Sequence, residues 1–450
     1  MKRQILTIVA ALALLAQSAD CFAGTDGQVQ LTADEMQLVK QNNIFAFNLF
    51  RQTRDGNTVL SPLSITYALG MVNNGAAGQT QKEINNVLGF SDAGAEGINK
   101  FCLDKRKLTE SLDPETKVMI ANNIYVNSGY VLQSDFVSKA KTYYDATPET
   151  RDFGDGKTLD VINQWANDHT EGMIPEVLNN DTFNPNAVSY LLNAIYFKGE
   201  WTFQFLPEQT EEEPFDNQDN IPVMRMFEEL KYAENDTYQT LSLPYGNGSF
   251  CMTLFLPREG QTLDDVLNAL GGEQWAAVPS SLKTYRVDVK LPRFETNTDV
   301  KLNDVMAALG MPSAFDRGMA EFPYFCNVPV FIALMKQTAR IRVNESGTEA
   351  AAVTVVGMEK NGMSDIPSAK FYATKPFLYV ISEQSTGAIL FMGQFVGNQT
   401  MRVDTPYSAQ RANGNRMSDN KVYSLDGRQL GGQPSKGIFI RNGRKIVKGE

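Results

Sequence analysis

The chain is predicted to be α+β, and three features of its 450 residues carry that expectation. Segments with helical spacing of apolar residues lie mostly in the first half, whereas segments that alternate or run apolar as strands lie mostly in the second. That segregation marks α+β rather than alternating α/β architecture. No internal repeat divides the chain, and the composition changes only near residue 399.

The first residues, MKRQILTIVAALALLAQSADCFAG, set a basic start before an apolar run from Ile5 to Ala16. The run is too short to span a bilayer comfortably, so 1–23 reads as a secretory signal peptide cleaved after Ala23. Cys21 as a lipidated first residue is the alternative, although Asp20 before it fits a lipoprotein signal poorly. Thr32-Ala-Asp-Glu35 is a capping box, and Met36, Val39, Ala46, Leu49 and Phe50 follow at helical spacing. After the turn at Asp55-Gly56-Asn57, TVLSPLSITYALGMVNNGA offers Ser61 or Ser64 as a helix cap, with Pro62 tolerated in the first turn. VMIANNIYV (118–126) and VSYLLNAIYFKGEW (188–201) are apolar on both faces and fit central strands of a covered sheet. FCMTLFLP (250–257) and YRVDVKLPRF (285–294) read as strands too.

The stretch 399–418 carries few large apolar residues and reads as a linker. Beyond it, 419–450 is basic and has turn signals at Asp426-Gly427 and Asn442-Gly443 around VYSL, GIFI and KIV. Alone it is too small for a stable core.

Several chemistries are excluded or weakened. Apolar residues make up 42% and charged residues 21%, an ordinary soluble composition. The formal net charge of −11 argues against nucleic-acid and anionic-membrane binding, both of which attract basic surfaces. Past the signal peptide, Cys102, Cys251 and Cys326 lie far apart with no CxxC pairing, which describes neither a disulfide framework nor a zinc site. His169 is the sole histidine and sits near a helix end, so a His-dependent triad or a two-histidine metal centre is remote. Asp152-Phe153-Gly154 and Gly156-Lys157-Thr158 spell fragments of kinase and phosphate-loop motifs without the partners either requires, and no GxSxG elbow occurs.

Residues 343 to 362, VNESGTEAAAVTVVGMEKNG, mix signals. Glu349 and the three alanines after it favour helix, whereas Val353, Thr354, Val355 and Val356 favour strand. Nothing there is large enough to anchor a loop. The segment precedes a polar, glycine-bearing stretch that reads as exposed.

From about Leu31 to Val396 the chain resembles the serpins, serine-protease-inhibitor-like proteins. The resemblance is carried in order by Asn57 with Ser61-Pro62-Leu63-Ser64-Ile65, Gly75-Ala-Ala-Gly78 with Thr80 and Glu83, and Ile162-Asn163 with Trp165. It continues through Thr170-Glu-Gly-Met-Ile174, Asn193 with Phe197-Lys-Gly-Glu-Trp201, Asn344 to Ala352, Lys375-Pro-Phe377, and Thr386-Gly to Phe391-Met-Gly393. It implies a serpin domain over 29–398 with three β-sheets, about nine helices and an exposed reactive-centre loop. The tail, 419–450, is similar to a short C-terminal sorting domain of bacterial type IX secretion; a hairpin tail with no address is the other reading.

The resemblance implies an exported monomer, not an enzyme, that needs no cofactor or metal. It inhibits serine endopeptidases as a suicide substrate, with cysteine endopeptidases a second target class. The hinge would be Glu345, Gly347, Thr348, Glu349, Ala350, Ala351 and Ala352. In the inserted strand Thr348, Ala350, Ala352, Thr354 and Val356 would enter the core, every one small or β-branched. A non-inhibitory serpin, with its loop a plain substrate or its fold a ligand carrier, is the alternative. The family's spacing from Glu345, about sixteen residues, puts the residue before the cut at Asn361, whereas counting back from Pro376 lands near Asp365. Met358, Lys360, Asn361 and Met363-Ser364 are therefore all candidates, Lys360–Asn361 for a trypsin-like protease and Met363–Ser364 for elastase-like or chymotrypsin-like enzymes. Ser61, Ser64, Asn193, Trp201 and Gln337 would lie beneath the opening of the main sheet. Gln337 replaces a histidine common in the family and is expected to bond to Asn193 and Ser61.

Overall fold

The computed structural model describes residues 31–109, 111–217, 219–348 and 366–397, together with four short strands beyond them. The expected signal peptide, and Glu349 to Ser364 with every candidate bond, lie outside the described residues. The chain divides into two units, Met1–Gln399 and Thr400–Glu450.

In the first unit α1 (Ala33–Thr53), β1 (Thr58–Leu60), α2 (Pro62–Asn73), α3 (Gly78–Leu88) and α4 (Gly94–Thr109) come first. There follow β2 (Lys117–Asn127), α5 (Ser134–Tyr144), β3 (Thr147–Arg151), α6 (Lys157–His169) and β4 (Ser189–Glu200). The strand-rich part holds β5 (Glu211–Pro214), β6 (Asn220–Glu234), β7 (Tyr238–Tyr245) and β8 (Phe250–Pro257). Then come α7 (Leu263–Ala269), α8 (Gly272–Trp275), α9 (Val278–Ser281), β9 (Lys283–Pro292), β10 (Phe294–Lys301) and α10 (Asn303–Leu309). The unit ends with β11 (Lys336–Asn344), β12 (Gly347–Thr348), β13 (Ser368–Tyr372), β14 (Phe377–Glu383) and β15 (Ile389–Phe395). Among the described residues there are ten α-helices, of which α8 and α9 are single turns.

The local reasons are those of the sequence. Thr32 and Glu35 form the capping box that starts α1. Ser61 caps α2 with Pro62 as its first residue. Leu63, Ile65, Tyr67, Leu69 and Met71 make α2 apolar all round, so it lies in the middle of the core rather than on its surface. That places the polar N-terminus of α2 under the main sheet, where every hydroxyl and amide must find a partner.

The main sheet has the order β10-β11-β12-β4-β2-β3. A second network runs β1-β15-β14-β8-β7-β6-β9-β13, with β5 on β6. Three sheets are expected; in the first unit the strands outside the main sheet form one network, joined through β6, which pairs β9 over Val223–Tyr232 and β7 over Lys231–Glu234. Two covered strands, β8 and β14, are buried along their whole length, in keeping with their largely apolar sequences. Among the described residues no helix is long and apolar enough to cross a membrane.

In the second unit β16 (Val422–Tyr423), β17 (Gln429–Leu430), β18 (Gly437–Arg441) and β19 (Arg444–Lys448) form one antiparallel sheet, order β17-β16-β18-β19.

Candidate functional site: a strand-wide slot in the main sheet

Strand β4 pairs with β2 along one edge, from Val126↔Ser189 to Lys117↔Lys198. Along the other edge it pairs only at Glu200 and Gly199, with Gly347 and Thr348 of β12. Similarly β11 pairs with β10 from Lys336 to Val343, and on its far edge meets β12 only at Val343 and Asn344. Below β12 the facing edges of β4 and β11 therefore have no strand partner among the described residues. Where β12 lies between them the two strands stand one strand apart, and their facing edges below offer a template for an added strand.

The top of the slot is closed by the hinge residues themselves. Thr348 is buried, 1% exposed, and its hydroxyl lies 2.6 Å from that of Tyr245. Gly347 passes so close to β4 that a Cβ there would lie 2.1 Å from the Gly199 carbonyl oxygen. The glycine is thus demanded by close approach of two backbones, and not only by freedom to bend. Glu345, also buried, accepts from Arg293 Nε at 3.2 Å and Nη2 at 2.5 Å, and from the Thr210 hydroxyl at 2.7 Å. Burial opposes its charge, yet the bonds from Arg293 and Thr210 outweigh that and hold the carboxyl below the usual range. Trp201 stacks on Tyr245 with ring centroids 4.4 Å apart, while its indole Nε1 donates to the Asn344 carbonyl at 3.0 Å. Backbone bonds from Trp201 to Ser346 and from Phe205 to Glu345 complete the anchorage.

Beneath the slot two separate polar pins tie its walls to α2. From β11, Gln337 Nε2 donates to the Ser61 carbonyl at 2.8 Å, and the Ser61 amide donates back to Gln337 Oε1 at 3.2 Å. From β4, Asn193 accepts from the Ser64 hydroxyl and donates to Asn122 Oδ1 at 2.8 Å. The sequence led to one bonded trio of Gln337, Asn193 and Ser61, and that expectation is corrected here. Among the described residues the Gln337 side chain bonds to Ser61, while Asn193 bonds to Ser64 and Asn122, so each wall reaches α2 through its own serine.

The lower slot opens into a cavity of about 630 Å³ between α2, the end of α6, β4 and β11. Ile65, Leu69, Trp165, Leu178, Leu192 and Leu334 are among its walls. A separate narrow crevice nearer the hinge is bounded by Ile195, Phe197, Ile341 and Thr348.

The remaining candidates fall elsewhere. His169 ends α6, stacked on Trp165 at 4.5 Å with its Nδ1 2.7 Å from the Trp165 carbonyl, which fits a helix-end role. Cys102, Cys251 and Cys326 are free and buried, and burial raises the pKa of each thiol. Among the described residues no three His, Cys, Asp or Glu side chains group to hold a metal ion. Sequence reasoning missed Arg293, Thr210 and Tyr245, which hold the hinge from 52, 135 and 103 residues away in the chain. A charged residue directly after Pro292, at the edge of a strand, was the only signal for Arg293, and it names no partner.

Comparison with known proteins follows the same architecture. A family model described as "Serpin (serine protease inhibitor)" matches residues 40–398. Neuroserpin of Homo sapiens is 31% identical over 79% of this chain and 90% of its own. The thermophilic serpin tengpin, in its native state, superposes with a TM-score of 0.73 at 27% identity, over 82% of this chain and 96% of its own. Thyroxine-binding globulin in complex with thyroxine superposes with a TM-score of 0.71 at 25% identity, over 81% and 99% of the two chains.

Proposed function

The chain belongs to the serpin family, and from that premise we propose that it is an exported inhibitor of serine endopeptidases that acts as a suicide substrate. One observation supports the reading above the rest: β12 pairs with both β4 and β11, and below it the facing edges of the two have no strand partner among the described residues. Continued by the same register, the inserted chain would set Ala350 between Phe197 and Ile341, and Ala352 between Ile195 and Ala339. Thr354 would meet Asn193 and Gln337. Those neighbours, amides apart, are core residues, and only small or β-branched side chains fit among them. On the outer face Glu349 would lie between Lys198 and Arg342.

The chemistry belongs to the protease. Its nucleophile attacks the carbonyl of the bait residue, the amine half of the loop leaves, and an ester (a thioester for a cysteine enzyme) joins the two proteins. The freed strand then fills the slot, and the tethered protease is carried along and distorted before water can resolve the bond. Each backbone hydrogen bond gained is worth about 1 kcal/mol net, so roughly ten of them supply on the order of 10 kcal/mol, with apolar burial added. The bait is one of Met358, Lys360, Asn361 and Met363, with Lys360–Asn361 favoured for trypsin-like enzymes and Met363–Ser364 for elastase-like or chymotrypsin-like ones. Export rests on the signal-peptide pattern of 1–23, and delivery to the cell surface or medium on the likeness of 419–450 to a sorting domain.

Incubation with trypsin and with neutrophil elastase, followed by a denaturing gel, tests the reading. A band near the summed mass that survives SDS is expected. A loop-clipped product alone would instead favour the second reading, a carrier without inhibition, which the 630 Å³ cavity and the ligand-bearing relative give some footing.

A further inference from the structure

The cavity at the lower end of the slot has its own chemistry. We propose that it binds a single-chain amphipathic carboxylate, of the medium-chain fatty-acid class, in the same space the inserting strand needs, so that the ligand controls whether the loop can insert. The regulatory half of this rests on the insertion reading; the binding half does not.

Size and shape come first. At about 630 Å³ the cavity lies within the roughly 300–1,000 Å³ usual for small-molecule sites. It is elongated, since Ser189–Ala194 of β4 all line it, about 20 Å of wall at roughly 3.3 Å per residue. Strands bound it on two sides, which suits an extended chain better than a fused-ring ligand. Its lining is mixed: Leu69, Ile174, Leu178, Phe322 and Leu334 supply apolar wall, and Ser64, Asn193 and Gln337 supply polar groups. Thr338 also lines it, and its hydroxyl is buried with no hydrogen-bond partner.

Charge at the rim selects the head group. Lys301 and Arg317 both line the cavity and are exposed. Neither takes part in any of the ion pairs found among the described residues, and the Arg317 guanidinium stands over the Phe331 ring at 5.3 Å. Lys336 is neutralised by Asp299 at 2.9 Å, and Asp181 is the acidic group on the rim. Two lining cations outside the ion pairs, against one lining carboxylate, favour an anionic head on an apolar body.

Titration of sodium dodecanoate into the intact, full-length protein, followed by calorimetry and by the fluorescence of Trp165, tests this. Saturable one-to-one binding is expected. Decanoate should bind about fifteen-fold more weakly, since each buried methylene is worth about fourfold. The Lys301→Ala/Arg317→Ala double variant should weaken dodecanoate about tenfold and leave the neutral dodecanol unaffected. Loop-clipped protein, its slot filled, should lose binding, and saturating dodecanoate should shift protease reactions from SDS-stable complex to clipped product. Absence of saturable binding to the intact protein overturns the proposal, as does equal binding by clipped protein that has gained thermal stability. Clipped protein that gains no stability overturns the insertion reading instead, and binding to the intact chain then decides the cavity by itself.

Discussion

The two large sheets of the first unit are made of the same kinds of residue, yet among the described residues the main sheet leaves two inner strand edges largely unpaired. In the nine-stranded network β14 is paired along both edges, with β15 and with β8, and all seven of its residues are buried. In the main sheet β4 matches ten residues of β2 on one edge and only two of β12 on the other. The contrast locates the pairing capacity that insertion would use: β14 is paired on both edges, whereas among the described residues β4 and β11 leave facing edges without a strand partner below β12. A strand left unpaired at a sheet edge is exposed to chance partners; one unpaired in the middle of a sheet is shielded by its neighbours.

The largest effect that would sharpen this contrast is cleavage of the loop. Ten or more kcal/mol gained by insertion should raise the melting temperature of the clipped form by about 10 °C or more for a unit of this size. Calorimetry of intact and clipped protein measures it, and equal melting would remove the difference between the sheets as an energetic one. Next in size is Thr348→Arg. Thr348 is already buried against Tyr245, so an unpaired guanidinium there costs about 3 kcal/mol or more and blocks strand entry at its first step. The variant should be clipped by trypsin without forming an SDS-stable complex.

A smaller loss is expected of Glu345→Gln, about 1–2 kcal/mol, because Arg293 is half exposed and solvent screens the pair. The folded carboxyl is held below its usual range, so its contribution is fully present above the free pKa of about 4.3 and is lost as pH falls through the lowered value. The melting difference between variant and parent should thus be constant near neutral pH and shrink below about pH 4; a difference independent of pH would mean the ion pair does not anchor the hinge. Gln337→Ala, the mildest of the four, leaves the Ser61 amide without its partner and should destabilise by about 1–2 kcal/mol. Unchanged melting would show that the pin from β11 to α2 contributes nothing to holding the slot.

Much of the local structure was legible before any coordinates. Thr32 and Glu35 as a capping box, Ser61 as the cap before Pro62, and the strands at 118–126 and 188–201 were all readable, because each depends on neighbours a few residues away. The hinge stood out because small and β-branched residues in a run serve no core of their own. Gln337 was singled out but given one bond too many: spacing along β11 showed which way the side chain faces, not how far β4 stands from it. Arg293 looked like an ordinary strand-edge cation, although it is the partner of Glu345.

Residue order alone therefore showed the first two helices, the strands at 118–126, 188–201, 250–257 and 285–294, and a run of small and β-branched residues over 348–356 that suits a strand, since these follow from propensity and period. Tertiary structure decided that β4 and β11 stand one strand apart, that Thr348 is already lodged between them, and that a cavity lies below. Those outcomes depend on how whole sheets and helices pack across more than a hundred residues of chain, and no local pattern encodes a distance of that kind.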